Sequence, residues 1–313
     1  MSQTEKTVPL TLAEATDLAA GLVASSAAES GIDALVVKGR YAAEQGLRPV
    51  RTASDVDVLV RVDDCPRIIK VLERKGWSPR PVDPDDAIFP HHSIPLIHPG
   101  WPCDIDVHTN FPGCDAHPDA VFDALFARRV PAEAAASPIW IPDATATALI
   151  MALHSLRTPR GDPELSDLQF VERAAPALVN GADLVALAEK AGALGALLPF
   201  LASVFPQDIP PSVSPPSREW ILRWTAPDSA TVRLISLRQA NWRDRPGLVL
   251  RAIRPSREAL AAINLEALSA DDAELRRLRL RRFGGALRRL PAIVGEYRAY
   301  QREVARQRAV RGG

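Results

Sequence analysis

The spacing of hydrophobic positions changes several times along this 313-residue chain, and each change predicts an element. Thr11 and Glu14 stand three apart ahead of an Ala/Leu-rich stretch. This is the pattern of a reciprocal N-terminal cap, and it predicts a helix over residues 11–30 that Gly31 ends. Residues 32–37 are a short apolar run that reads as a buried strand, broken by Lys38-Gly39 into a turn and a short helix over 41–45. From 56 to 62 the period falls to two: Val56, Val58 and Val60 alternate with Asp57, Leu59 and Arg61, which predicts a strand. Ile68, Ile69, Val71 and Leu72 then form one apolar stripe on a helix over 64–75, stopped by Gly76. Further strands are predicted at 77–81, 93–98 and 103–109, separated by proline-rich loops.

Beyond Pro142 the strand signal fades. Helices are predicted at 144–156, 166–175 and 182–198, with a loop at 158–163. Prolines at 206, 210, 211, 215 and 216 predict an extended connector, and the remainder is Arg-rich and mainly helical. The pattern is that of an α+β chain: a sheet domain over 1–140, a helical domain over 141–205, a connector over 206–217 and a helical C-terminal region over 218–313.

Composition narrows the class. With 47% hydrophobic residues the chain can bury more than one core, which excludes disorder and fibrous repeats. The start lacks the basic-then-apolar layout of a secretory signal, and the longest apolar run, 144–153, falls short of the roughly 20 residues that a membrane span needs. A cytoplasmic protein without a transmembrane segment is expected. Three cysteines, an odd count without paired spacing, indicate neither a disulfide framework nor a zinc site. The net charge of zero is a cancellation: residues 1–232 hold 19 basic and 30 acidic side chains, and residues 233–313 hold 19 and 8.

Two carboxylates carry the first chemical signal. Asp55 and Asp57 stand two apart on a predicted strand, so both side chains project from one face. A solvated strand face also produces such a pair. Clustered carboxylates are costly without a compensating cation, however, and a hard divalent ion such as Mg²⁺ or Mn²⁺ is held by carboxylates together with substrate phosphates. The later run Cys103-Asp104-Ile105-Asp106-Val107-His108 again points acids and a histidine to one face. Asp104 or Asp106 could therefore supply a third carboxylate, as metal ligand and as base. Lys38-Gly39 lies at a strand-to-helix turn, where glycine permits close backbone approach and a helix N-terminus attracts phosphate. Arg51, just before the acidic pair, could neutralise a triphosphate. Together these are the parts of a two-metal phosphoryl or nucleotidyl transfer site.

Gly39, Asp55-Val56-Asp57-Val58 and Asp106 resemble the nucleotidyltransferase superfamily that includes DNA polymerase β, poly(A) polymerases and aminoglycoside nucleotidyltransferases. More narrowly, Val37-Lys38-Gly39, Arg51-x-x-Ser54-Asp55-Val56-Asp57-Val58-Leu59-Val60 and Asp106-Val107-His108 resemble a bacterial nucleotidyltransferase family with a Lys-Gly first motif. The likeness continues into 149–154, Asp167-Leu168 and Arg254-Pro255-Ser256. It implies a mixed sheet with flanking helices followed by a helical domain. It also implies transfer of a nucleoside monophosphate from an NTP such as ATP to an acceptor hydroxyl, with release of pyrophosphate. Asp55 and Asp57 would bind two Mg²⁺ or Mn²⁺ ions, and Asp106, chosen over Asp104 because it stands two before His108, would complete the triad. Lys38, Gly39, Arg51 and Ser54 would meet the nucleotide, and His108 would orient Asp106 or touch the acceptor.

One residue departs from the superfamily pattern, which usually has Gly-Ser or Gly-Gly where this chain has Gly39-Arg40. Arg40 there grips phosphate or obstructs it; obstruction would leave a degenerate scaffold that binds nucleotide or protein and catalyses nothing. Three other features have plainer readings. His91, His92 and His98 are expected in loops or behind the site rather than as a metal cluster. Asp162, Glu164 and Asp167 suit capping at a helix start. From Glu274 to Arg311, twelve arginines against three glutamates flank a three-to-four-residue apolar repeat. This predicts a basic amphipathic helix, interrupted at Gly284-Gly285 and kinked at Pro291, that docks on its own domain or contacts RNA, acidic lipid or a partner protein.

Overall fold

The first helix, α1 (Leu12–Glu29), starts where its cap predicts: Glu14 N–H donates to the Thr11 hydroxyl and the Glu14 carboxylate accepts from Thr11 N–H. The computed structural model describes residues 9–82, 92–157 and 162–312. In chain order α1 is followed by β1 (Ala34–Val37), α2 (Gly39–Glu44), β2 (Asp55–Val60), α3 (Cys65–Glu73), β3 (Ser78–Pro79), β4 (Ser93–Ile97) and β5 (Asp104–His108). The strands form one sheet of order β1-β2-β5-β4-β3. Only β2 and β5 run parallel; the other neighbours are antiparallel. The sheet is therefore mixed, and β2 and β5 are interior strands.

That placement explains the apolar alternation. Val56, Val58 and Val60 of β2, with Ile105 and Val107 of β5, enter one core with Ala15, Ala19 and Val23 of α1 and Ile68 and Leu72 of α3. Burial of a valine or leucine side chain contributes about 1.5–3 kcal/mol, so this shared face fixes the register of both strands. A one-residue slip would turn the valines outward and the aspartates into the core.

Beyond the sheet come α4 (Pro118–Phe126), β6 (Arg129–Ala134), β7 (Ser137–Pro142), α5 (Ala144–Leu156), α6 (Asp162–Leu178), α7 (Gly181–Lys190) and α8 (Leu194–Val204). The β6–β7 hairpin was not legible in the sequence. Its two-residue turn is Ala135-Ala136, both with positive φ, 45° and 61°, where Asn-Gly or Asp-Gly is the usual signal. Asp17 of α1 holds the turn by accepting from Ala135 N–H at 3.0 Å. A non-glycine residue in this region costs about 1–2 kcal/mol, so Ala136→Gly is expected to raise stability by about 0.5 kcal/mol after glycine's own entropic cost is deducted. Urea unfolding would measure the gain.

Helices expected as one over 182–198 are two, α7 and α8. Gly192 turns between them at φ 65°, and a Cβ there would lie 2.6 Å from the Ala116 backbone nitrogen. The helix expected at 166–175 is longer, because Pro163 falls in its first turn, where no N–H is required. The loop expected at 158–163 lies partly outside the described residues, and Asp162 and Pro163 open α6.

The chain divides into two compact units. The elements from α1 to α8 make up the first, so the helices after 142 share a unit with the sheet. The second, from residue 214 together with two short segments from earlier in the chain, contains α9 (Arg218–Thr225), α10 (Ser229–Gln239), α11 (Arg245–Ile253), α12 (Arg257–Ala261), α13 (Asp272–Arg288) and α14 (Leu290–Gly312). The predicted basic helix is thus two helices, but the break falls at Arg289, not at Gly284-Gly285, which remain inside α13. Pro291 is the second residue of α14 and begins a helix instead of kinking one. No helix among the described residues is long and apolar enough to cross a membrane.

Candidate active site

Parallel pairing of β2 with β5 sets Asp55 opposite Asp104 and Asp57 opposite Asp106. Asp57 and Asp106 thereby become cross-strand neighbours, and His108, two residues along β5, lies on the same face. Lys38 completes the group from the end of β1. Its Nζ lies 2.5 Å from Asp57 Oδ1, its side chain is 11% exposed, and its backbone has φ 58°. A lysine in this sparsely populated conformation costs about 1–3 kcal/mol, a strain of the kind stored at functional sites. Here it aims the ammonium at Asp57.

His108 bridges the two acids. Its Nε2 is 2.7 Å from Asp57 Oδ1 and 3.1 Å from Asp106 Oδ2, and its ring stacks on Phe111. The electrostatics follow from this arrangement. Burial pushes the Asp57 carboxyl up, but the Lys38 ammonium and then His108 outweigh it and hold Asp57 far below the usual carboxylate range. Burial likewise pushes Asp106 up, and hydrogen bonding from His108 more than offsets it, leaving Asp106 lowered. Burial would lower His108, yet its hydrogen bonds to Asp106 and Asp57 outweigh it and raise it. Asp55 is shifted the other way: burial, then the neighbouring charges of Asp57 and Asp106, raise it against Lys38 and Arg48. Asp55 lies where negative charge is in excess.

A divalent cation suits this set. Ligand atoms of Asp57, Asp106 and His108 lie within 4.8 Å of one another. Asp106 Oδ1 is buried and accepts no hydrogen bond. Oxygen-rich donors favour a hard ion.

The remaining predicted residues gather elsewhere. A cavity of about 420 Å³ is lined by Gly39, Arg40, Arg51, Thr52 and Asp55, with Asp17 and Tyr41 from the helices beside it. Arg40 is engaged within this unit: it pairs with Asp17 Oδ1 at 2.9 Å, donates to the Glu133 carbonyl at 2.6 Å and stacks on Tyr41. Arg51 pairs with Asp167 of α6 at 2.6 Å. Ser54 is exposed, and its carbonyl accepts from Asp104 N–H. Asp104 lies at the β5 end opposite Asp55, away from the His108 bridge.

Two participants escaped the sequence reading. Asp167 is not at the start of α6; it is buried and holds Arg51, which overturns its reading as a cap. Arg48 carries no signal in the sequence. It is half-buried, and although burial lowers its pKa, Asp167, Asp55 and Asp57 act on it in the opposite direction. No local spacing announces either residue, because both act through contacts distant in sequence. His98 packs with Trp77 and Trp101, whereas His92 lies beside His108, so the two do not converge; His91 is outside the described residues.

A mixed sheet that carries paired aspartates on adjacent strands, with a lysine at the preceding strand-to-helix turn, defines a nucleotidyltransferase-like protein. Residues 13–204 match the family described as uncharacterised nucleotidyltransferase, and the chain belongs to it. It is a nucleotidyltransferase. Among curated proteins none matches the sequence. Solved structures similar to it include an antigenic nucleotidyltransferase-like protein from Paracoccidioides brasiliensis, at 14% identity and a TM-score of 0.41, covering 64% of this chain and 96% of that one. Another is the solution structure of the antibiotic-resistance factor ANT(2'')-Ia, at 13% identity and a TM-score of 0.37, covering 56% and 88%.

Proposed function

We propose that this nucleotidyltransferase moves a nucleoside monophosphate from an NTP to an acceptor hydroxyl and releases pyrophosphate, with Asp55, Asp57 and Asp106 holding Mg²⁺ or Mn²⁺. The observation that carries this reading is the register pairing of Asp57 with Asp106, together with the buried Asp106 Oδ1 that has no partner. A bound divalent ion would neutralise phosphate charge and acidify an acceptor hydroxyl. Asp106 would take the acceptor proton, and its buried Oδ1, which has no hydrogen-bond partner, supports that role. The acceptor oxygen bonds to the α-phosphorus as the bond to the β-phosphate bridge breaks, and pyrophosphate leaves with that electron pair. Lys38, Gly39, Arg51 and Ser54 flank the triphosphate in this reading, with Arg40 at the cavity wall. His108, whose Nε2 lies within reach of Asp57 and Asp106, is a positioning residue for both carboxylates.

The family likeness of the Lys-Gly motif points to a bacterial branch and a cytoplasmic enzyme. Acceptors of three kinds fit the chemistry: a small metabolite, a peptide or polysaccharide intermediate, or a tRNA end. One observation favours the degenerate-scaffold reading: the Lys38 ammonium pairs with Asp57 and competes with a cation for that carboxylate. Incubation with each labelled NTP, Mg²⁺ or Mn²⁺ and a cell extract separates the two readings. The transferase reading expects a labelled acceptor and pyrophosphate, both lost in Asp106→Asn. An ion-dependent thermal shift with NTP but no product in the wild type would select the scaffold.

A further inference from the structure

The C-terminal unit contains a cavity of about 480 Å³ that the transferase chemistry does not use. Its floor is apolar, formed by Leu234 and Leu237 of α10, Leu248 and Ile253 of α11, and Phe283 of α13. Five arginines, Arg233, Arg251, Arg279, Arg282 and Arg289, also line it. Asp228 pairs with Arg289 at 2.9 Å from outside the lining, and among the described residues no carboxylate lines the cavity itself.

The helices around this cavity leave apolar surface uncovered. No residue of α11 is buried, although Leu248, Val249 and Ile253 line the cavity; Val249 is 40% exposed and Ile253 54%. In α13 only Leu275 is buried, and Phe283 is 47% exposed. Amphipathic helices ordinarily close such stripes against one another. These instead border a concave space of the size that small ligands occupy, and its polar wall has a single sign of charge.

We propose that this cavity binds a single-chain amphiphile with a phosphate head, its chain against the apolar floor and its head among the arginines. Both halves of the ligand are specified by the wall. Guanidinium groups recognise phosphate oxygens in a bidentate fork, and uncovered leucine, isoleucine and phenylalanine side chains favour an alkyl or isoprenoid chain. The lining carries arginines and no carboxylate among the described residues, which favours an anionic head over a cationic or zwitterionic one. The ligand is a free amphiphile taken into a cavity within one unit, not a bilayer surface. The site is independent of the transferase reading, and its test does not use that activity.

Calorimetric titration of the full-length protein with lysophosphatidic acid below its micelle concentration tests the site. Parallel titrations would use lysophosphatidylcholine, inorganic phosphate, phosphatidylglycerol vesicles and an oligoribonucleotide. Saturable binding of lysophosphatidic acid is expected, weakened about tenfold or more in Arg233→Gln/Arg282→Gln by loss of charge-assisted hydrogen bonds. Ala252→Trp, which fills the space, should lose it while circular dichroism and the melting transition stay unchanged. If Ala252→Trp misfolds, the arginine pair alone decides. The proposal is overturned by equal binding of lysophosphatidylcholine or of phosphate alone, by binding only to vesicles, by displacement of the lipid by the oligoribonucleotide at lower concentration, or by wild-type affinity in the arginine double variant.

Discussion

Asp57→Asn is expected to lower NTP-dependent pyrophosphate release at least about a thousandfold, a loss of about 4 kcal/mol of transition-state stabilisation. The substitution removes the negative charge to which Lys38 and His108 both bind, in a side chain only 8% exposed. From the sequence alone it is expected to leave the fold intact. The structure adds a stability cost, because the Lys38 ammonium and the His108 ring are left buried without their shared carboxylate. Breaking a buried pair in this way costs about 3 kcal/mol, which chemical denaturation of the ion-free protein would register. The variant should remain folded at room temperature, and loss of activity above its midpoint would not count. Undiminished turnover would overturn the assignment.

The pH dependence distinguishes this variant further. A carboxylate lowered in the folded state contributes stability that is present above its unfolded pKa, near 4, and lost as the pH falls. Wild-type stability should therefore decline below about pH 4 more steeply than that of Asp57→Asn, which has no carboxylate there to protonate. His108 works in the opposite sense. Being raised in the folded state, it stabilises below its unfolded value of about 6.5, and that contribution fades as the pH climbs through its folded value. Melting temperatures measured across this range in chelator would show both limbs in the wild type.

The second large effect belongs to Arg51→Met, expected to destabilise the first unit by about 2 kcal/mol. Asp167 is 3% exposed, its Oδ1 has no hydrogen-bond partner, and Oδ2 depends on Arg51. Removing the guanidinium strands that carboxylate on α6. The figure lies below that for a fully buried pair because Arg51 is 39% exposed and partly screened by water. A double variant, Arg51→Met/Asp167→Asn, should recover much of the loss, since no buried charge remains unmatched. Equal destabilisation in single and double variants would show that the pair does not hold the loop to α6. If Arg51 also meets the triphosphate, KM for NTP rises in both while stability differs.

These two positions mark how far the chain could be read without coordinates. Asp57 and Asp106 were visible because a strand repeats every two residues, so each acid could be assigned a face before the fold was known. Their partnership needed the parallel register, which local spacing implies only when the strand order is known. Arg51 was legible as a cation near the acids, but its partner was not, because Asp167 is 116 residues away and looks like any acid near a helix start. Arg48 left no mark at all. The same contrast holds for the fold. The α1 cap is written in adjacent residues, while the Ala135-Ala136 turn has ordinary alanines in an unfavourable conformation that Asp17, from a distant helix, helps to hold.

The interior position of β2 has a consequence for the chain before it is fully folded. β2 pairs with β1 on one side, but its other edge is covered only when β5 arrives, and Asp57 and Asp106 are separated by 49 positions. Until then Val56, Val58, Leu59 and Val60 form an apolar edge of the kind that invites association with other chains. Asp55 and Asp57 sit within that edge; Lys38, at the end of β1, pairs with Asp57, so Asp55 carries the unpaired charge there until β5 arrives. Like-charge repulsion between nascent chains keeps such edges apart. A chain that lacks both carboxylates should therefore refold with more aggregation, read by light scattering, even where its native state survives.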